Sequence, residues 1–217
     1  IEVKNLSESN NDAITRGSEN LINAIRIVSK YGLRSVVAIN LFPEDKKEEI
    51  DLIKKICLEN NSIAIESDGF AKGGEGMIDL AEYIANLDED NKDISLLYDD
   101  QDSPINKVET LAKEIYSAEK VSWGPMTRTT LRQFENQGWN FPICMAKTHL
   151  SVSANPKLRG APKGHTIPIR EARVLGGAKQ IVTLAGDIIT LPGLPSNPNA
   201  FDIDLNDDGE IINILST

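Results

Sequence analysis

Phe42 and Phe70 are the residues whose types and placing could most readily do chemistry. Phe42 comes two residues after the apolar run Ser35-Val36-Val37-Ala38-Ile39-Asn40, and Phe70 comes five after Ile63-Ala64-Ile65. Short β-branched runs of this kind read as strands buried on both faces of a parallel sheet, and ligands of such sheets bind beyond the carboxyl ends of the strands. If the two strands are neighbours, both phenyl rings project from one sheet edge. They could then clamp a flat heteroaromatic ligand, each stack contributing about 0.5–1.5 kcal/mol beyond its buried area. Core aromatics that close a sheet occupy the same positions, so residue type alone leaves both readings open.

Other candidates carry less. Gly73-Gly74-Glu75-Gly76 resembles a phosphate cradle at a helix start, but no Lys-Ser/Thr pair follows and Glu75 would repel a phosphate. Glycines that make a tight turn under a close-packed helix are the simpler reading. Lys72, beside this loop, could reach an anionic ligand or be an ordinary solvated lysine. His149 and His165, the only histidines, lack metal spacing and build no triad. The run from Asp202 to Gly209 has the outline of a calcium loop, but Leu205 and the misplaced glycine fit a polar turn between two terminal strands better. Arg159, Lys163, Arg170 and Arg173 form the one basic cluster, suited to a phosphate or polycarboxylate tail or to balancing nearby acids.

The elements that must position these residues follow from periodicity. Leu21, Ile22, Ile25 and Val28 have helical spacing, with Ser18 as the expected N-cap, Gly32 past the end, and a polar arm before residue 12. Pro43, Glu44 and Asp45 should open a second helix with Ile50, Ile53, Ile56 and Cys57 inward. A third helix, after the glycine loop, should bury Met77, Leu80, Ala81 and Ile84. Helices alternating with short strands indicate a parallel α/β sheet. The acid-rich stretch 86–103, with a short strand around Ile94, Leu96 and Leu97, marks the expected boundary between domains at 1–92 and 93–217. Beyond it, helices are expected from Pro104 and over Thr127–Gln137. Strands are expected at Pro142–Lys147, Thr166–Arg170 and Gln180–Leu184, making the last part α+β.

Composition narrows the function classes. The 217 residues carry a net charge of −10, which argues against nucleic-acid or anionic-membrane partners. No apolar run is long enough to span a bilayer. Cys57 and Cys144 stand far apart in apolar surroundings, as buried free thiols of a cytoplasmic protein would. The opening Ile1-Glu2-Val3-Lys4 lacks an initiator Met and any signal-peptide pattern, as a processed, truncated or incompletely given chain would.

Several stretches occur in a specific order: Ser35–Asp45 (SVVAINLFPED), Phe70–Gly76 (FAKGGEG), Lys113–Tyr116 (KEIY), Pro142–Ser151 (PICMAKTHLS), Ile169-Arg170-Glu171, Gly186-Asp187-Ile188 and Pro192-Gly193-Leu194-Pro195. In this order they resemble the formate–tetrahydrofolate ligase family, from about Glu19 to Ile214. Met145–Thr148 and Pro192–Pro195 are the most family-specific segments. The resemblance implies an enzyme of one-carbon metabolism that activates formate with MgATP to formyl phosphate, then forms 10-formyltetrahydrofolate by attack of the folate amine. It further implies that Phe42 and Phe70 hold the pterin ring, with Asn40 and Lys72 near the substrate. Many members carry Trp where this chain has Phe70, and a smaller ring stacks over less area. No catalytic residue, metal ligand or resident cofactor is expected within the segment.

Family chains are more than twice as long, and the resemblance falls in their C-terminal part, so the nucleotide-binding P-loop would lie in an N-terminal part not contained here. The implied fold is α/β, the closing part of a P-loop-type parallel sheet followed by a smaller α+β domain. A half-sheet leaves an edge unpaired and an apolar face uncovered, so the isolated chain should be marginal or a homo-oligomer. The alternatives are a non-catalytic folate-binding or subunit-assembly module, and an interaction domain that keeps the scaffold without a ligand.

Overall fold

The computed structural model describes residues 8–87, 94–147, 152–155, 157–186 and 196–213. Thr148, His149, Asp187, Ile188 and Pro192–Pro195, all singled out above, lie outside the described residues, as do 1–7 and 88–93. The chain divides into two compact units, Ile1–Asp187 and Ile188–Thr217.

The first unit opens with α1 (Asn11–Lys30), capped by Asn10, whose Oδ1 accepts the Ala13 N–H at 2.9 Å. The cap expected at Ser18 is therefore misplaced. Ser18 is buried inside the helix and its hydroxyl donates back to the Ile14 carbonyl at 2.7 Å. Gly32, at φ +74°, follows the helix end as expected.

Strands β1 (Val36–Asn40) and β2 (Ile63–Ser67) pair in parallel, from Val36 opposite Ile63 to Asn40 opposite Ser67. Their crossover is α2 (Lys47–Glu59). Pro43, Glu44 and Asp45 do not open this helix. They form a turn, because the Asp45 carboxylate accepts the Phe42 N–H at 2.8 Å and Asp45 N–H donates to the Phe42 carbonyl at 3.0 Å. Helix α1 packs on α2 and α2 on β2, burying Ile25, Ile56 and Cys57. Burial of β1 on both faces is not what the structure shows: Ala38 and Asn40 are exposed and the rest of the strand is half-buried, since the described sheet has two strands.

After β2 the chain turns through α3 (Gly69–Lys72), a 3-10 turn (Gly73–Met77) and α4 (Ile78–Ala85). The glycines are thus helical rather than open loop. The expected inner face of α4 is only partly covered: Met77 and Leu80 are half-buried, whereas Ala81 and Ile84 are exposed. The strand expected around Ile94–Leu97 is also absent. Those residues are irregular, and in the acid-rich run just after them Asp side chains claim backbone donors, with Asp99 accepting from Gln101 and Asp102 from Asp99.

The second layer of this unit comprises α5 (Pro104–Glu114), β3 (Lys120–Trp123), α6 (Thr127–Asn136), β4 (Ile143–Lys147), β5 (Thr166–Leu175) and β6 (Gln180–Ala185). The sheet order is β3-β5-β6-β4, with β3 parallel to β5, β4 parallel to β6, and β5 antiparallel to β6. Ser103 caps α5 and Pro104 fills its first turn, a pairing that costs no helical hydrogen bond. Ile105, Val108 and Ala112 of α5 and Leu131 of α6 meet Ile143, Ile167, Ile169 and Ile181 of the sheet in one continuous core. Strand β3, which the periodicity did not announce, is too short to show a period. Lys107 is fully buried on α5, where its ammonium donates to the carbonyls of Asp100 at 2.7 Å and Asn140 at 2.6 Å and lies 5.4 Å from the Tyr98 ring centroid.

Arg26 joins the two layers. Its guanidinium donates to the carbonyls of Glu114 at 2.9 Å and Ile115 at 3.0 Å, capping the end of α5 from α1. Both cysteines are free, but only Cys57 is buried; Cys144 lies exposed on β4, an outer strand of the sheet, which corrects the expectation of two buried thiols.

The second unit, as described, holds a 3-10 turn (Asn199–Phe201) and a hairpin of β7 (Asp204–Leu205) and β8 (Ile211–Ile212). Its acidic run is the hairpin turn: Asn206 Oδ1 accepts the N–H groups of Asp208 and Glu210 at 3.1 and 2.8 Å.

Candidate functional site

The carboxyl ends of β1 and β2 form the candidate site. The ladder continues one step past β1, with Leu41 N–H donating to the Ser67 carbonyl at 2.9 Å, so the two strands leave the sheet side by side. Phe42 follows at once, and its backbone is fixed in the turn that Asp45 closes. Phe70 follows β2 by three residues, inside α3. The two backbones therefore emerge at the same sheet edge, which was the condition for a clamp. Phe42 is 63% and Phe70 93% exposed, so neither is a core aromatic closing the sheet. Asn40 is exposed at the last position of β1, opposite buried Ser67, whose hydroxyl points to the Met77 sulfur at 2.8 Å.

The support under Phe70 is mostly backbone. Asp68 N–H donates to the Gly76 carbonyl at 3.0 Å, and Lys72 N–H donates to the Asp68 carbonyl at 2.9 Å. The Lys72 ammonium lies 2.8 Å from the Asp68 carboxylate, whose hydrogen bond and charge raise the lysine pKa further above its ordinary value. Lys72 thus has a partner on its own turn and remains largely solvent-facing. Gly76 packs so closely on Asp68 that any Cβ would overlap the Asp68 carbonyl.

The remaining candidates do not join this edge as an evident group. Burial lowers the His165 pKa, outweighing the backbone hydrogen bonds at Pro162 and Val152 that act to raise it, and both its ring nitrogens are buried. Burial also lowers the pKa of Lys147, which donates to the Ser153 carbonyl at 3.1 Å and lies 5.6 Å from the Tyr116 ring centroid. Of the basic cluster, Arg173 pairs with Glu171 on its own strand at 2.6 Å, while Arg159, Lys163 and Arg170 are exposed. Among the described residues, no group of three or more His, Cys, Asp or Glu side chains could hold a metal ion. Nor is any described helix long and apolar enough to cross a membrane.

Sequence reasoning missed Asp45, Asp68 and Gly76 as supports of the edge. The first two could have been found. Asp45 lies three residues after Phe42 across a proline, a turn pattern, and Asp68 precedes Lys72 at helical ion-pair spacing. The Gly76 contact depends on chain folding back on itself and has no local signature.

Comparison with known proteins agrees with the family-like segments. The family model described as formate–tetrahydrofolate ligase matches residues 1–215. The chain is 44% identical over 206 residues to the formate–tetrahydrofolate ligase of Roseiflexus castenholzii, covering 94% of this chain and 36% of that protein. It is 43% identical to the enzyme of the same name from Roseiflexus sp. strain RS-1, covering 96% and 37%. With the one from Pelagibacter ubique it shares 41% identity, covering 95% and 37%. The chain therefore spans little more than a third of the length of these curated relatives. With a family match over nearly every residue, and the same name on each of these relatives, the chain belongs to the formate–tetrahydrofolate ligase family.

Proposed function

We propose that this chain supplies the tetrahydrofolate-binding part of a formate–tetrahydrofolate ligase, with the pterin ring held between Phe42 and Phe70 and with Asn40 and Lys72 near the substrate. The observation that carries this reading is the pair of exposed phenyl rings on adjacent parallel strand ends. A flat bicyclic ring between them would lose water on both faces, and the aromatic quadrupoles favour offset stacking. Asn40, at the end of β1, has an amide that can both donate to and accept from a pterin edge.

In this reading formate is activated by MgATP to formyl phosphate on the part of the relatives' length that the chain does not span. The folate amine then attacks the formyl carbon and expels phosphate. This chain's share is to hold the folate so that its nucleophilic nitrogen faces that intermediate, and its own sequence contains no Walker motif. The same reading makes β1 and β2 the closing strands of a P-loop-type sheet within a part reaching to about residue 92. The C-terminal α+β part begins at 93, and the assembled enzyme is a cytoplasmic homo-oligomer. The half-covered faces of β1 support a sheet that continues into further structure.

Calorimetric titration of the 217-residue chain with tetrahydrofolate tests the clamp. Two stacks at about 0.5–1.5 kcal/mol each, before area burial, predict that a Phe42→Ala/Phe70→Ala variant binds about 5- to 150-fold more weakly. Binding that is unchanged in this variant would remove both rings from the site.

A further inference from the structure

We infer that Gly76 is a positioning residue for the Phe70 ring, acting through Asp68; this rests on the proposed role of Phe70 in the clamp. Phe70 sits on a four-residue helical turn that buries no side chain, so hydrophobic packing does not aim its ring. What holds the turn is a closed loop of main chain. Asp68 N–H donates to the Gly76 carbonyl, Lys72 N–H donates to the Asp68 carbonyl, and the Lys72–Asp68 ion pair spans the same residues.

The glycine is the part of this clasp that a larger residue cannot replace. A Cβ at Gly76 would overlap the Asp68 carbonyl, which is backbone and cannot swing aside as a side chain could. A Cβ at Gly74, two residues earlier in the same 3-10 turn, would meet nothing within 4 Å. Gly73 is restricted for another reason, its φ of +57° with ψ −137°, which lets the chain pass from α3 into the turn. Gly69 faces the Met77 side chain, whose flexible thioether can yield. Within the run Gly73-Gly74-Glu75-Gly76 it is Gly76 that fixes the start of α3, and with it the direction of Phe70. Lys72, on this account, orients the ring through Asp68.

Fluorine NMR of the chain labelled with 4-fluorophenylalanine tests the inference without requiring ligand. The five phenylalanines give one resonance each, and Phe134 and Phe141, packed against the core, serve as internal references. Gly76→Ala should shift the Phe70 resonance, assigned by Phe70→Leu, and leave Phe134 and Phe141 in place; Gly74→Ala should shift none of them. Tetrahydrofolate titration should then show about 2- to 13-fold weaker binding for Gly76→Ala, the loss of one stack, and wild-type binding for Gly74→Ala. An unmoved Phe70 resonance in Gly76→Ala, or equal shifts in both glycine variants, overturns the clasp. Should Gly76→Ala disturb the reference resonances, Asp68→Ala/Lys72→Met replaces it, and an unmoved Phe70 there overturns the inference equally. A moved Phe70 resonance with unchanged folate binding in both Gly76→Ala and Phe70→Ala overturns the clamp and leaves only the local geometry standing.

Discussion

The two layers of the first unit spend their apolar residues in opposite ways. Around β1 and β2, burial is sparse: Ile25, Ile56 and Cys57 are inside, while Phe42, Leu58, Phe70, Ile78 and Ile84 face solvent. Around β3–β6, helices α5 and α6 lie on a four-stranded sheet and bury a continuous core from Ile105 to Ala185. The well-packed layer holds the chain together, and the sparse layer presents side chains. On the proposed function, stability and ligand recognition fall to different parts of one unit, a division seen where binding residues ride on a rigid scaffold.

If this division is right, substitutions in the two layers should differ sharply in cost. Leu131→Ala, in the centre of the packed layer, should lower the unfolding free energy by about 2–5 kcal/mol in urea titration. A cost below 1 kcal/mol would mean that the core is not where the packing places it. Arg26→Ala should cost about 1–3 kcal/mol by removing the guanidinium that caps α5 from α1. Hydrogen exchange in that variant should accelerate in α1 before it does in β5 and β6.

A smaller effect depends on pH. Burial holds the His165 pKa below its ordinary value of 6.5, so the unfolded chain takes up the proton more readily than the folded one. Its contribution is present above pH 6.5 and is lost as pH falls through the folded pKa. His165→Gln should therefore flatten the acid limb of the stability profile below pH 6.5, and an identical limb in both proteins would refute the assignment. Smallest of all, Phe70→Ala should change stability by no more than about 0.5 kcal/mol, because the ring is almost wholly in solvent. A large loss would show that Phe70 supports the layer rather than a ligand.

The packed layer was easier to read from the sequence than the presenting one. Helix α5 announced itself through Pro104 and the spacing of Ile105, Val108 and Ala112, because local capping and core burial agree there. In the sparse layer the same rules misled. The β-branched run of β1 suggested burial on both faces, yet composition cannot tell how many neighbours a strand has. Ser18 looked like a cap because serine often is one, whereas Asn10 holds the helix start. Phe42 and Phe70 were legible because strand ends locate them by counting. Lys107 was not, since a lysine among apolar helix residues gives no sign that two carbonyls are waiting for it.

The ladder between β1 and β2 has one more consequence. Asn40 and Ser67 are locked opposite each other by main-chain bonds, and the rings follow two residues beyond one and three beyond the other. Their offset is therefore counted in residues and owes little to which side chains the strands carry. Drift by substitution within 36–40 and 63–67 should be tolerated so long as the strands still pair. Losing or gaining one residue between Asn40 and Phe42, or between Ser67 and Phe70, would turn a ring away from its partner. The site should accordingly be far more sensitive to insertions and deletions than to conservative replacements.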